Sequence, residues 1–308
     1  MTLRQICLLI LLSALWGGVF LLIKYALVDF SASEVAFLRS AIGALGLLAI
    51  VLVMKGDARA ALGDILRRPL PALLLGALAI GGPFLLIALG ERTLPSGLAG
   101  VLASTSPIFI AIFAPFIDRS ERISRRQGVG LIIGLLGVAL VVGAHFAGSL
   151  GQLLSALALL GAAVGGALSS FVVKIWYRDR ESIPASTTTF FALSVGALMT
   201  LPVAVITAPR ELPDARAVLV MLTLGLVFTA GTFMLYYSLI NQVGEERATI
   251  AQYFAPAFAL FYGALLLGES ITVEGVIGLI MIIVGANVTL RGGGNHRSRS
   301  KRRVFLTH

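Results

Sequence analysis

The sequence predicts an all-α membrane protein whose ten transmembrane helices form two inverted five-helix repeats. Three observations predict it. Of 308 residues, 58% are hydrophobic and 13% charged, with a mean hydropathy of +0.97, whereas about a quarter of residues are charged in soluble domains. Apolar segments follow one another at the roughly 20-residue length that a hydrocarbon core of about 30 Å requires, with little chain left over for a soluble domain. The chain also repeats itself: residues 96–107 (SGLAGVLASTSP) align with 245–256 (EERATIAQYFAP) at an offset of 149, and Glu121, Ile123, Gly130 and Gly137 align with Glu269, Ile271, Gly278 and Gly285 at 148.

Taken in order, the first span, 5–27, follows a basic residue, Arg4, as a signal peptide would. Its run is long enough to cross the bilayer, and no small-residue cleavage site follows it, so it is a helix that stays. The second and third spans cover 34–54 and 70–90, the third containing Gly81, Gly82 and Pro83. The fourth, 96–117, has Pro107 near its middle, and the glycine-rich fifth covers 127–143. Spans six to eight cover 150–176, 184–208 and 216–238; the ninth, 247–267, has Pro256 in its middle, and the tenth covers 272–290. The organisation read from this is a first repeat over 1–145, a second over 146–290, and a basic tail over 291–308.

Positive charge fixes the orientation, because cytoplasmic loops retain Lys and Arg. With the N-terminus inside, the inner segments hold 18 of the 24 basic residues, the outer loops only Arg92, Arg210 and Arg216, and Lys24, Arg39 and Lys174 fall within spans. Both termini are then cytoplasmic, in a multi-pass membrane protein. The tail RGGGNHRSRSKRRVFLTH reads as disordered, resting on anionic lipid rather than on nucleic acid.

Several chemistries are excluded. The one cysteine, Cys7, lies in the first apolar run, so no intramolecular disulfide or cysteine-based metal site can form. The three histidines lie outside the spans and all fifteen acids fall in loops or near helix ends. No acid pair, metal cluster or catalytic triad is assembled, so neither an enzyme, a cofactor nor a metal is expected. The same lack of a titratable group at mid-membrane points to facilitated rather than proton-coupled movement of a solute.

Five helices per repeat force the second copy to enter the membrane upside down. Two inverted halves can exchange conformations, which is the logic of alternating access. One chain supplies both halves, so a monomer suffices.

At this point the residues resemble a known family, the drug/metabolite transporter superfamily in its ten-helix form with two EamA-type repeats. The resemblance covers 5–290 and rests on SALWGGVFLLIKYAL, LASTSPIFIAIFAPFI, GVGLIIGLLGVALVV, AQYFAPAFALFYGALLLGESIT and GLIMIIVGANV. Within it the chain looks most like the YddG-type exporters of amino acids. The resemblance implies a central substrate cavity built from the first four helices of each repeat, with the fifth helices peripheral. It also implies export of amino acids, aromatic ones included, or of related metabolites. A broad drug exporter of the same superfamily is the alternative within transport; a passive channel or a membrane sensor is the alternative outside it.

Candidate substrate contacts come from polar and aromatic groups at bilayer depth. Pro83, Pro107 and Pro256 each withhold a hydrogen bond from the carbonyl four residues earlier, namely those of Ala79, Ala103 and Gln252. Such acceptors could meet an ammonium group, with Ser104, Thr105, Ser106, Gln252 and Tyr253 alongside; the plainer reading is a kink with the hydroxyls bonded back to their own helix. Trp16, Phe84, Phe190, Tyr236, Tyr237 and Tyr253 are candidate cavity walls, against helix packing as the plainer reading. Lys24 and Lys174, 150 residues apart, suit snorkelling to headgroups, with carboxylate binding or gating by Lys24 as the sharper alternative. Arg39 is expected to pair with Glu34 or Asp29. Gly130 with Gly134, and Gly161 with Gly165, have the spacing of close helix contacts.

Overall fold

The computed structural model describes residues 1–53, 63, 65, 67, 69–117, 123–145, 149–176, 184–208 and 213–304, with no side chain beyond 289. Glu121, and Lys55, Arg59, Arg68, Arg119, Arg122, Arg178, Arg180 and Arg210 from the charge count, lie outside the described residues. The described residues are helical, without strands. Among the described residues, nine helices are long and apolar enough to cross a membrane, and a shorter apolar helix, Val273–Thr289, follows at the tenth position.

The first span is α1 (Leu3–Ala26) and the second α2 (Ala32–Val53). The third comprises α3 (Leu70–Leu75), a π-helical segment π1 (Gly76–Gly81) and α4 (Gly82–Glu91). The fourth is split into α5 (Ser96–Ala103) and α6 (Ser106–Ile117); α7 (Arg125–His145), α8 (Leu150–Trp176) and α9 (Ala185–Thr207) follow. The eighth comprises α10 (Ala215–Gly225), π2 (Leu226–Gly231) and α11 (Thr232–Val243). The ninth is α12 (Glu245–Ala248) with α13 (Ile250–Leu267), and α14 (Val273–Val304) is the last. The tail expected to be disordered thus continues α14 to Val304, since extending an existing helix needs no new nucleus.

Local sequence sets several of these starts. The S/T-x-x-E/Q pattern occurs as Thr2–Gln5, Ser31–Glu34 and Ser124–Gln127, and in each pair the two residues exchange side-chain to backbone hydrogen bonds. These are capping boxes, which satisfy N–H groups that a helix start leaves open. Glu34 is therefore occupied by Ser31 N, its Oε2 accepting at 2.8 Å.

The two π segments are a repeat-related pair, since Gly76 and Leu226, and Gly81 and Gly231, are each 150 residues apart. Their chemistry differs. In π1 the irregularity precedes Pro83, which cannot donate to Ala79, and Gly82 N instead donates to the Ala77 carbonyl five residues back. In π2 there is no proline; Thr229 Oγ1 donates to the Leu224 carbonyl at 2.8 Å, and Thr232 Oγ1 to the Phe228 and Thr229 carbonyls at 2.9 Å.

Packing between the repeats is reciprocal. A Cβ on Gly46 of α2 would lie 3.1 Å from Ala230 Cβ in π2, and one on Gly196 of α9 would lie 2.5 Å from Ile80 Cγ2 in π1. Those two contacts are the same contact displaced by 150 residues in each partner. Helices α7 and α14 cross in the same manner: a Cβ on Gly130 would lie 2.7 Å from the Gly285 carbonyl, and one on Gly137 would lie 2.8 Å from that of Gly278. Small residues let these backbones approach, as spans must do where lipid offers no hydrophobic drive to associate.

The prolines do not act alike. Pro107 stands at the start of α6, just after the break at Ser104 and Thr105, whereas α13 runs through Pro256 and the ninth span is interrupted earlier, at Thr249. Pro256 thus withholds its hydrogen bond from the Gln252 carbonyl within a continuous helix. There α1 lies directly on α13, where a Cβ on Gly17 would be 2.5 Å from the Ala255 carbonyl; neighbouring helices keep a proline-bearing span continuous.

Candidate functional site

Four of the expected aromatic residues converge. Trp16 on α1 lies 5.3 Å, ring centre to ring centre, from Tyr236 on α11, and Tyr236 lies 6.0 Å from Tyr237. Tyr237 stacks on Phe233 at 6.2 Å and shares a hydrogen bond with Thr189 of α9. Phe190, next to Thr189, and Phe233 pack against the core that contains Phe84. Trp16, Phe190, Phe233, Tyr236 and Tyr237 are half-buried, not sealed. The group lies toward the end of the bundle that carries both termini, because α9 begins there and α11 ends there. Flat apolar faces with a few hydroxyls among them suit an amphipathic ligand with an aromatic or branched side chain.

Other expected contacts are differently employed. Ser104 Oγ donates to the Val101 carbonyl and Thr105 Oγ1 to that of Leu102, each at 2.7 Å, and Ser106 Oγ reaches the Ala163 carbonyl on α8 at 2.9 Å. The Ser104 and Thr105 hydroxyls bond back within their own span, as in the plainer of the two readings, whereas that of Ser106 ties the span to α8. On α13, Gln252 is exposed and Tyr253 half-buried. Among the described residues no ring contact joins Tyr253 to the Trp16 group.

Arg39 does not form the ion pair expected with Glu34 or Asp29. It points inward from α2 and is 7% exposed. Its Nε donates to Thr229 Oγ1 at 3.0 Å, and its guanidinium carbon sits 3.6 Å from the centre of the Phe84 ring. A stacked, weakly hydrated guanidinium tolerates burial better than an ammonium does, while Glu34 is held by its own helix start.

The end opposite the termini is closed by charge. Lys24 Nζ, instead of snorkelling, donates to the carbonyls of Glu91 at 2.5 Å and Leu94 at 2.8 Å. Glu269, beyond the end of α13, accepts from Ser96 N at 2.7 Å, Ser96 Oγ at 3.0 Å and Gly97 N at 3.1 Å. A cation thus meets a helix C-terminus and an anion a helix N-terminus, each the favourable pole.

These bonds join two groups of helices. In one, α8 packs on α3, π1, α4, α5 and α6; in the other, α1 packs on α10, π2, α11 and α13. At the closed end the groups meet, with α5 on α13 and α1. Toward the termini α6 finds its partners in α8, α7 and α14, so the two halves of the fourth span face different neighbours.

Comparison with known proteins agrees with this architecture. The model of the EamA-like transporter family matches twice, over residues 3–143 and 153–291. The chain belongs to the EamA-like transporter family. Among curated relatives of this EamA-like protein, the uncharacterized transporter YoaV of Bacillus subtilis is 26% identical over 281 residues, covering 90% of this chain and 93% of the relative. Protein PecM of Dickeya dadantii is 29% identical over 217 residues, covering 68% and 69%. One solved crystal structure superposes with a TM-score of 0.64 at 20% identity, over 94% of this chain and 98% of the other, a likeness of fold.

Two functional candidates of this EamA-like chain escaped the sequence reading. Glu91 counts as a loop acid by position, yet it is 0% exposed. Glu269 was visible as half of a repeat match, but its partner Ser96 lies 173 residues away.

Proposed function

We propose that this chain is a secondary transporter that exports amino acids, aromatic ones included, and similar small metabolites across the inner membrane by alternating access, as a facilitated uniporter. The observation that carries this reading is the asymmetry of the bundle: Lys24 and Glu269 tie the two helix groups together at one end, while a half-buried aromatic group stands toward the other. With both termini cytoplasmic, the tied end faces outward and the aromatic group faces the cytoplasm. The substrate then enters from inside, between rings that favour an aromatic or branched side chain. Outward direction follows from the higher amino-acid concentration inside a cell. One chain suffices as a monomer, with lipid and a small molecule as its partners and no nucleic acid.

Uptake of labelled phenylalanine, tryptophan and leucine into proteoliposomes, with no ion gradient imposed, tests the reading. Saturable uptake supports it. Uptake only under a proton gradient would overturn the uniport part, and absence of amino-acid flux under either condition would overturn the substrate.

A further inference from the structure

Glu91 is a fully buried acid that the transport reading does not use. Neither of its carboxyl oxygens accepts a hydrogen bond from the protein. The charges that bear on it come from Lys24 on α1, Arg39 on α2 and Glu269 beyond α13. Each of the three is engaged elsewhere: Lys24 with two backbone carbonyls, Arg39 with Thr229 and Phe84, Glu269 with Ser96 and Gly97. Helix α8, also packed on α4, brings Leu159 and Ser155 against neighbouring Gly90, and neither is charged. Arg39 Nη1 is likewise buried without a protein partner. Neither cation therefore satisfies the Glu91 carboxyl.

A buried carboxylate without donors is among the costliest arrangements in a protein, and a neutral carboxyl is far cheaper. We propose that Glu91 is a proton-binding site built into the closure, which holds the proton while the two helix groups are tied at this end and releases it when they part. Arg92 and Thr93, the next two residues, are exposed, so the proton arrives and leaves by the same end. The site gates the carrier by the pH on that side and moves no net proton across the membrane. It therefore differs from a proton-coupling group, which must face each side in turn.

The sign follows from linkage. Between the ordinary glutamate value of about 4.3 and the pH at which the tied form itself ionises, the tied form binds up to one proton more than the parted form. Rising pH thus favours parting, by at most about tenfold in the equilibrium per pH unit for a single proton. Below that window, and again above it, the equilibrium no longer changes with pH.

The test needs no substrate, so its failure is distinct from a failure of the amino-acid reading. In a Cys7→Ser background, Leu98→Cys places a thiol on α5 where the side chain is now 5% exposed. Its rate of reaction with a maleimide is measured on purified full-length protein between about pH 5 and 9, a range wide enough for buried glutamates. The same measurement on Glu91→Gln, which mimics the protonated form, divides out the thiol's own pH dependence. The ratio of the two rates is expected to climb with pH by up to about tenfold per unit; a flat ratio overturns the proposal. A second variant, Lys24→Met with Glu91 intact, loosens the closure at every pH and removes a cation that bears on the carboxyl, so labelling is expected to be faster throughout and its climb to continue to higher pH than with Lys24 present. An unmoved climb would assign it to another group and overturn the proposal as well.

Discussion

Lys24 Nζ lies 2.5 Å from the carbonyl oxygen of Glu91 and 2.8 Å from that of Leu94, so one ammonium group spans from α1 to the turn that joins α4 to α5. Glu269 does the converse at the start of α5. Between them they hold both ends of one short connection, and the opening of this face depends on releasing it.

Replacing Lys24 with Met keeps the apolar stem and deletes the donors. Hydrogen bonds to a charged group are worth about 1.5–3 kcal/mol, which predicts at least a tenfold shift toward the parted form. At neutral pH the thiol of Leu98→Cys should label correspondingly faster than with Lys24 intact. An unchanged rate would mean that Lys24 is only packed there.

Glu269→Ala removes acceptors for Ser96 N and Gly97 N, and loss of an N-terminal cap costs about 0.5–2 kcal/mol. The expected outcome is a lower thermal midpoint and faster labelling at Leu98→Cys. Glu269→Gln, which keeps one acceptor oxygen, should recover part of both.

Where α7 crosses α14, a side chain on Gly130 would lie 2.4 Å from Thr289 Oγ1, whereas Gly128 has nothing within 4 Å. Gly130→Val is expected to destabilise by about 1–3 kcal/mol or more through overpacking, read as a drop in the thermal midpoint in detergent. Gly128→Ala should be silent in the same assay.

In the aromatic group, Trp16→Leu keeps an apolar side chain but removes the ring beside Tyr236. A contact made equally in ground and transition states changes KM and not the maximal rate; KM for tryptophan should rise about tenfold, while KM for leucine moves less. Tyr237→Phe, which deletes the bond to Thr189, should cost about 1 kcal/mol of stability.

How much was legible in the sequence depended on the range of the signal. The span bounds follow closely from apolar length, and the offset between residues 96–107 and 245–256 announced the repeat that the reciprocal contacts of Gly46 and Gly196 express. What failed to show depends on partners far along the chain. Arg39 looked like a residue in search of Glu34, because Thr229 and Phe84 come from other helices. Glu91 sits at the edge of its span, where one sequence cannot distinguish a solvated acid from a buried one. The π segment at Gly76 had a clue in Pro83, and its counterpart at Leu226 had none, because Thr229 and Thr232 do there with hydroxyls what the proline does by absence.

The central claim is that a bundle closed at one face carries its solute by exchanging that closure for another. Counterflow tests it most directly: proteoliposomes are loaded with unlabelled phenylalanine, diluted into labelled phenylalanine, and followed without any ion gradient. The account predicts saturable uptake that is accelerated by the load and overshoots before it decays. Uptake that rises linearly with concentration and ignores the load would contradict it, since that is the behaviour of an open pore.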